Sequence, residues 1–289
     1  MPRPVALVSS ADARQHDGDL HLIIRALADR GVVAEIIDWD DAAVDWGQFA
    51  AAVVRSPWDY HRRYDEFMAW VEHVSSLTLL LNDAETIRWN ADKTYIAELA
   101  DAKVPVIPTT FVRTAADLDA VEIPADCVVK PTVSAGSNNT ERHTSAEDAR
   151  THIRALLDAD KTAMVQPYQR FIDDNGETGM LFFDGEYSHA FRKGAILATG
   201  ENVKNGLFVV EDIGPRKATD QEIELGEKVM ATVRMRLGRD PLYARVDVVR
   251  GSAGTPVLME LELTEPSLYL AMDPNAATRF ASALVARLR

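Results

Sequence analysis

Through the first ninety residues, short continuous apolar runs alternate with stretches whose apolar positions recur every three or four residues. Residues 5–9 (VALVS) read as a strand, 20–29 as an amphipathic helix stopped by Gly31, and 32–38 and 51–55 as further strands. In 64–77, Phe67, Trp70, Val71 and Val74 recur at helical spacing, and 78–81 closes the series as a strand. Strands and helices taking turns in this way predict a small layer of parallel strands covered by helices. No G-x-G-x-x-G follows the first strand, so the layer lacks the fingerprint of a dinucleotide-binding fold.

The period changes after residue 90. A helical segment, NADKTYIAELADAKV, leads to a strand at 106–108, a helix at 115–121, the strand CVVKP and a helix from about 145 to 157. AMVQPY is the next strand. In MLFFDGEYSHAF the pair Asp184-Gly185 separates two β-rich runs and predicts a hairpin, because it suits the turn that matches strand twist. Residues 197–217, rich in glycine, asparagine and charge, read as a loop long enough to be a covering segment. A helix at 219–237, the strands YARVDVVR and VLMELEL, and a helix at about 275–288 complete the chain. The expected class is α/β: a parallel α/β domain over 1–90, then an α+β domain over 91–289.

The last two strands pose the chemical question. VLMELEL alternates apolar and acidic residues from Met259 to Leu263, and GSAGTP joins it to YARVDVVR as a hairpin connection. With 252–255 as the loop, Asp247 faces Glu260 and Arg245 faces Glu262, and alternation puts all four side chains on one side. Opposed carboxylates stand about 5 Å apart at Cβ and repel one another unless something compensates. One reading is a water-facing sheet where salt screens the repulsion. The other is a divalent-cation site, since Mg²⁺ favours carboxylate oxygen and completes its shell with water and substrate phosphates. In that reading Asp247, Glu260 and Glu262 hold one or two ions, and Arg245 neutralises a phosphate oxygen beside them.

A phosphate site elsewhere is what the second reading needs, and three stretches offer one. Lys130 in VVKPTVSAGSNNT ends an apolar strand before a loop of small residues, which lets backbone N–H groups and hydroxyls approach phosphate closely. Lys93 in RWNADKTYIAEL stands at a helix start. Taken alone, either lysine is more often a solvated surface charge. MVQPYQRF places Gln166, Pro167 and Tyr168 at a strand end, a hinge able to hydrogen-bond a purine edge, or simply an ordinary strand end.

In order, Lys93, Lys130 with its small-residue loop, VQPY, GE (Gly176-Glu177), FRKG, RVDVV and ELELTEP resemble the ATP-grasp superfamily, nearest its glutathione-synthetase-like branch. Each motif is weak singly, but seven in the right order are specific, and they cover roughly 85–289. The resemblance implies two α+β subdomains sandwiching ATP, one of them a lid at about 104–168. It also implies that Lys93 and Lys130 contact ATP and that Ser134-Ala135-Gly136-Ser137 is the phosphate-covering loop. Gln166, Pro167 and Tyr168 become the adenine hinge, and Asp173 or Asp174 the ribose holder. Asp247, Glu260 and Glu262 become magnesium ligands, and Arg245 with Arg192 or Lys193 the cations facing the transferred phosphate. Two departures stand out: the loop has one glycine where the family has several, and Glu262 replaces a frequent Asn.

The chemistry so implied is ATP-dependent ligation through an acyl phosphate that a nitrogen nucleophile opens, which asks the protein to align reactants and neutralise charge. For the substrate, Arg55, Trp58 and Tyr60 in VVRSPWDY lie at a strand's C-terminal end, where α/β sheets bind ligands, and Arg55 can pair with a carboxylate. Trp58 and Tyr60 read equally as packing residues beneath a loop. His189, Ser267 and Tyr269 are further pocket candidates. Together with the length, VVRSPWDY, SAGSNNT and ELELTEPSLYL are most similar to the stand-alone ATP-grasp cyclo-ligases of cycloserine biosynthesis, which implies closure of O-ureido-serine by its own side-chain nitrogen. An intermolecular amino-acid ligase and a non-catalytic ATP-binding regulator stay open beside it.

Composition narrows the partners. With 31 basic against 45 acidic residues and a net charge of −14, the 289-residue chain lacks the basic face that duplex nucleic acid requires, though a local cationic pocket is compatible. The single cysteine, Cys127, sits in an apolar run and reads as a buried structural thiol in a reducing compartment. No apolar run approaches the ~18 residues of a membrane span, and MPRPVALVSSADA is too briefly apolar for a signal peptide. A cytoplasmic location and an amino-acid-like small substrate are expected, with no nucleic-acid or membrane partner and a homodimer allowed. The seven histidines form no metal-spaced cluster in sequence; His61, His143 and His189 stand isolated.

Overall fold

The computed structural model of the chain describes residues 3–195 and 212–288. Its first layer is a parallel sheet of β1 (Val5–Ser9), β2 (Ala34–Asp38), β3 (Ala51–Ser56) and β4 (Leu79–Leu81), in the order β2-β1-β3-β4. Strands β1 and β3 are buried along their whole length, as parallel strands covered on both faces must be. Leu20, Ile23 and Leu27 of α1 (Leu20–Ala28) close one face, and Phe67, Trp70, Val71 and Val74 of α2 (Tyr64–Leu77) the other.

NADKTYIAELADAKV, expected as one helical segment, spans the end of α3 (Ala84–Asn90) and all of α4 (Tyr95–Asp101), broken at 91–94. Asn90 and Tyr95 flank the break, and both bind the backbone of the last strand.

A second, antiparallel sheet follows: β5 (Thr110–Val112), β6 (Cys127–Pro131), β7 (Glu141–His143) and β8 (Ala163–Pro167), ordered β5-β8-β6-β7. Leu118 of α5 (Ala115–Ala120) and Ile153 and Leu156 of α6 (Ala146–Asp158) pack onto Val112, Cys127, Val129 and Val165. The strand expected at 106–108 is not there. Val106 makes a single parallel bridge to Leu258, and the sheet strand starts at Thr110. Pro105 and Pro108 cannot donate to a ladder, which delays it.

After the short α7 (Phe171–Asn175) comes the central antiparallel sheet of β9 (Glu177–Phe183), β10 (Glu186–Lys193), β11 (Ile213–Arg216), β12 (Tyr243–Arg250) and β13 (Pro256–Glu262), ordered β11-β10-β9-β12-β13. Asp184 (φ 52°) and Gly185 (φ 82°) both adopt the left-handed region, as the expected hairpin turn demands. Alternation along β9 sends Met180 and Phe182 to α8 (Asp220–Leu237) and Leu181 and Phe183 to α9 (Ala276–Arg287). Residues 213–216, expected within a loop, form β11; the rest of that expected loop, 197–211, lies outside the described residues. Among the described residues no helix is long and apolar enough to cross a membrane.

The acidic hairpin has the expected pairing where it matters: Arg245 faces Glu262 and Asp247 faces Glu260. Beyond Asp247 the register slips, Val248 pairing with Leu258 and Arg250 with Pro256. The connection is therefore one residue longer than 252–255, and a bulge at Met259 absorbs the difference.

Asn82 joins the first layer to the central sheet. Its amide donates to the carbonyls of Tyr243 (2.9 Å) and Leu263 (2.8 Å) and accepts from the N–H of Leu242 (2.6 Å), all buried. Asn82→Ala removes these bonds and leaves buried partners unmet. We expect a loss of about 2–3 kcal/mol in urea unfolding; an unchanged midpoint would mean the two layers are held by packing alone.

Candidate active site

Between the second and central sheets opens a cavity of about 530 Å³. Its floor is the acidic hairpin. Arg245 donates from Nε and a terminal nitrogen to Asp247 at 2.8–3.0 Å, and the same nitrogen donates to Glu262 at 2.5 Å. Asp247 is only 3% exposed. Lys93 Nζ lies 3.1 Å from Glu260 and 2.9 Å from the carbonyl of Ser134, and Lys130 Nζ stands 3.5 Å from Glu260. Glu260 thus joins the loop-bearing sheet to the acidic strand. Lys193 approaches Glu177 at 3.5 Å on the neighbouring strands.

These placements follow from local folding. Lys130, near the end of β6, leads into the loop 132–140, whose Ser134, Ala135, Gly136, Ser137, Asn138 and Thr140 line the cavity; Gln166, paired with Val128 on the antiparallel β8, lies further along the same sheet face. Lys93 occupies the break between α3 and α4, where its own N–H donates to Thr132. The free edge of β13 is held by side chains: Asn90 donates to Leu261 O (2.8 Å) and accepts from Leu263 N–H (2.6 Å), while the Tyr95 hydroxyl donates to Leu261 O (2.7 Å).

Burial and crowding of like charge set the protonation of the acids. Burial would raise Glu260, but Lys93 and Lys130 beside it outweigh burial and hold its carboxyl well below the usual range. Glu262 has no such surplus of cations; burial and the neighbouring Glu260 and Asp247 push it up to about 7 despite Arg245. Burial raises Glu177 to about 7 against the pull of Lys193. Glu265, beside Tyr60, is raised by burial and by Glu262 to about 8. The Cys127 thiol, buried away from the cavity, is pushed up to about 11 by desolvation.

Of the residues singled out in the sequence, the cavity gathers Lys93, Lys130, the 134–137 loop, Gln166, Pro167, Tyr168, Lys193, Arg245, Asp247, Glu260, Glu262, Trp58, Tyr60 and Ser267. Five do not border it. Arg55 is fully buried and donates to Pro266 O at 2.6 Å, bracing the segment after β13 where a substrate carboxylate was expected. His189 donates from Nε2 to Leu268 O at 2.9 Å and supports the same segment. Arg192 falls on the opposite strand face from Lys193 and pairs with Asp212. Asp173 and Asp174 lie on α7 outside the cavity lining, and Asp173 accepts from the Tyr168 hydroxyl. Conversely, Glu177, Glu265, Asn90, Tyr95 and Thr264 line the cavity without having been singled out as site residues. Glu177 and Glu265 sit inside the GE and TEP motifs and were legible there; Asn90 and Tyr95 gave no signal beyond a helical pattern. The histidine expectation also changes: His143 and His152 meet, 3.0 Å apart, beside Glu141.

Two buried lysines beneath a small-residue loop, facing an acidic hairpin across a cleft between two antiparallel sheets, are the marks of an ATP-grasp enzyme, a class of ATP-dependent ligases. Residues 5–82 match the family described as D-cycloserine synthetase DcsG, N-terminal domain. The cycloserine biosynthesis protein DcsG of Streptomyces lavendulae is 39% identical over 300 residues, covering 99% of each chain. A crystal structure of D-cycloserine synthetase DcsG matches with a TM-score of 0.92 at 38% identity over 99% of both chains. A RimK domain ATP-grasp protein from Sphaerobacter thermophilus shares the fold, with a TM-score of 0.66 at 19% identity over 97% of this chain and 98% of that one. The chain belongs to the DcsG family.

Three of the acids have folded-state pKa values above their ordinary range of about 4.3. Burial lowers His61, His143, His152 and His189, which opposes the acids below about pH 6.5; above about 7 the acids alone remain, and stability is lost as they ionise between 7 and 8. The melting temperature of the ligand-free chain should fall between about pH 7 and 8.5, and Glu265→Gln should flatten part of that fall. A melting temperature that climbs across this interval would contradict the charge assignment.

Proposed function

We propose that the chain is a cycloserine synthetase that closes O-ureido-serine on itself at the expense of ATP. A substrate carboxylate oxygen bonds to the γ-phosphorus as the bond to the β,γ-bridging oxygen breaks, and ADP leaves. The side-chain nitrogen of the same molecule then attacks the acyl carbon, phosphate leaves, and the nitrogen gives up its proton; water removes the carbamoyl group that this nitrogen still carries as carbon dioxide and ammonia, which leaves the free ring. The observation that carries this reading is the meeting of Lys93 and Lys130 with Glu260, two residues along β13 from the Arg245–Glu262 pair. Phosphate-binding cations and oxygen ligands there share one cleft, which a phosphoryl-transfer site requires. The choice of substrate rests on the similarity to DcsG along the full chain.

Asp247, Glu260 and Glu262 fit magnesium in kind: three carboxylates on one face, the hard oxygen donors it prefers, with Glu262 short of compensating charge. When bound, Mg²⁺ neutralises charge on the triphosphate. Lys93 and Lys130 orient the phosphates, and the backbone and hydroxyls of 134–137 cover them. Gln166, Pro167 and Tyr168 receive the adenine. Arg245 and Lys193 stabilise the transferred phosphoryl group, while Trp58, Tyr60 and Ser267 border the amino-acid end. Glu265, raised to about 8 at that end, is suited to take the nitrogen's proton.

Release of ADP settles the reading. O-ureido-serine alone should drive turnover, with no second amino acid required; ADP release that needs two different amino acids would favour an intermolecular ligase instead. Glu260→Gln should stay folded and lose at least about 100-fold in kcat, the usual cost of a lost electrostatic partner in the transition state. Unchanged turnover in this variant would remove the site from the cleft. Glu265→Gln should keep ATP affinity and lose about 100-fold in kcat; a full rate would assign the proton to another group.

A further inference from the structure

We propose that Glu141, His143 and His152 form a binding site for a zinc-type divalent ion, separate from the carboxylates of the cleft. Glu141 and His143 are two apart on β7 and so share a face, which α6 covers with His152. Their ligating atoms converge: His143 Nε2 to His152 Nδ1 is 3.0 Å, His143 Nε2 to a Glu141 oxygen 3.7 Å, and His152 Nδ1 to the same oxygen 3.9 Å. Donors about 2.1 Å from a tetrahedral ion stand about 3.4 Å apart, so the three atoms already approximate one face of such a shell.

The chemistry of the donors selects the ion. Two imidazoles and one carboxylate suit zinc and its first-row neighbours, whereas magnesium and calcium take oxygen. Both imidazole side chains are about nine-tenths buried, and that burial pulls their pKa values below the ordinary range, favouring the neutral form that ligates. The register partner of His143, the thiol of Cys127, is not part of the cluster, which leaves the fourth position to water or an external ligand.

The position gives the ion a consequence. Glu141 follows directly on Thr140, the last cavity-lining residue of the 132–140 loop. An ion shared by β7 and α6 ties the exit of that loop to the helix beneath it, through ligands that touch neither nucleotide nor substrate. The role is structural, and the chain without zinc keeps its basal turnover.

The test uses the untagged full chain in excess Mg²⁺, titrated with Zn²⁺ by calorimetry and with Co²⁺ by visible absorption. We expect one equivalent of either ion, tetrahedral Co²⁺ bands, and a rise in melting temperature with Zn²⁺. His143→Asn and His152→Asn should each weaken binding at least about tenfold and abolish the rise, with ADP release in the absence of zinc unchanged. No binding, or equal binding in wild type and variants, would overturn the proposal. Should a histidine variant fail to fold, zinc-edge anomalous scattering from wild-type crystals decides: a peak bonded to all three side chains supports the site, and its absence refutes it.

Discussion

A guanidinium held between two carboxylates, Arg245 against Asp247 and Glu262, is the constraint on which the rest of the structure depends. Burying these charges costs several kcal/mol for each ion unless geometry and hydrogen bonding offset it. The offset exists only in one register of the β12–β13 hairpin, since a slip of one residue would turn every side chain to the other face. The bulge at Met259 lets the connection vary in length without disturbing that register. On the other side of β12, Gly179 faces Asp247, and a Cβ there would lie 2.2 Å from the Phe191 ring and 3.0 Å from a carboxylate oxygen of Asp247. Only glycine lets the sheet close against the buried acid.

Across the cleft the charges are graded. Glu260 sits between Lys93 and Lys130 and stays ionised, whereas burial holds Glu262 and Glu177 up to about 7 and Glu265 up to about 8. One end of the cavity is therefore cationic and the other rich in acids that hold protons near neutrality. That asymmetry suits a reaction in which negative charge arrives with phosphate and a proton leaves from nitrogen. No protein nucleophile is needed, consistent with a single cysteine whose thiol is buried and hard to ionise. The groups are fixed by strands and by side-chain clamps such as Asn90 and Tyr95, which is how an electrostatic site avoids reorganising as charge develops.

Much of this was legible in the sequence, and for definite reasons. Strict alternation in VLMELEL, with turn residues before it, specified both the hairpin and its acidic face, because a period of two leaves no freedom in direction. The first parallel layer was equally plain from its buried apolar runs. What escaped depended on three dimensions. Arg55 looks like a carboxylate ligand at a strand end, yet the interior around Tyr243 takes it and turns it to Pro266. Asp173 and Asp174 sit close in sequence to the hinge, but α7 carries them off the cavity. Arg192 and Lys193 are neighbours in sequence and opposite in direction. His143 and His152, nine residues apart on different elements, meet only because α6 folds back over β7.

The first layer has a role in the site that its sequence alone does not suggest. The segment after β13, which carries Glu265 and Ser267 into the cavity, is anchored from that layer as well as by His189 and Tyr243 of the central sheet. Arg55 donates to Pro266 O, Trp58 to Glu265 O at 3.1 Å, and the carboxylate of Asp19 accepts from the N–H groups of Leu268, Tyr269 and Leu270 at 2.7–3.0 Å. Tyr269 takes a left-handed backbone (φ 46°), a conformation that costs a non-glycine residue energy and persists only when its surroundings impose it. The same layer sends Trp58, Tyr60 and His16 into the cavity wall. Lys93, Lys130 and the acidic hairpin face one another between the second and central sheets, and the first layer closes a further side of the same cavity. Residues 5–82, the part that matches the DcsG N-terminal domain, thus reach the cavity twice, directly through Trp58, Tyr60 and His16 and indirectly through the segment after β13 that they brace.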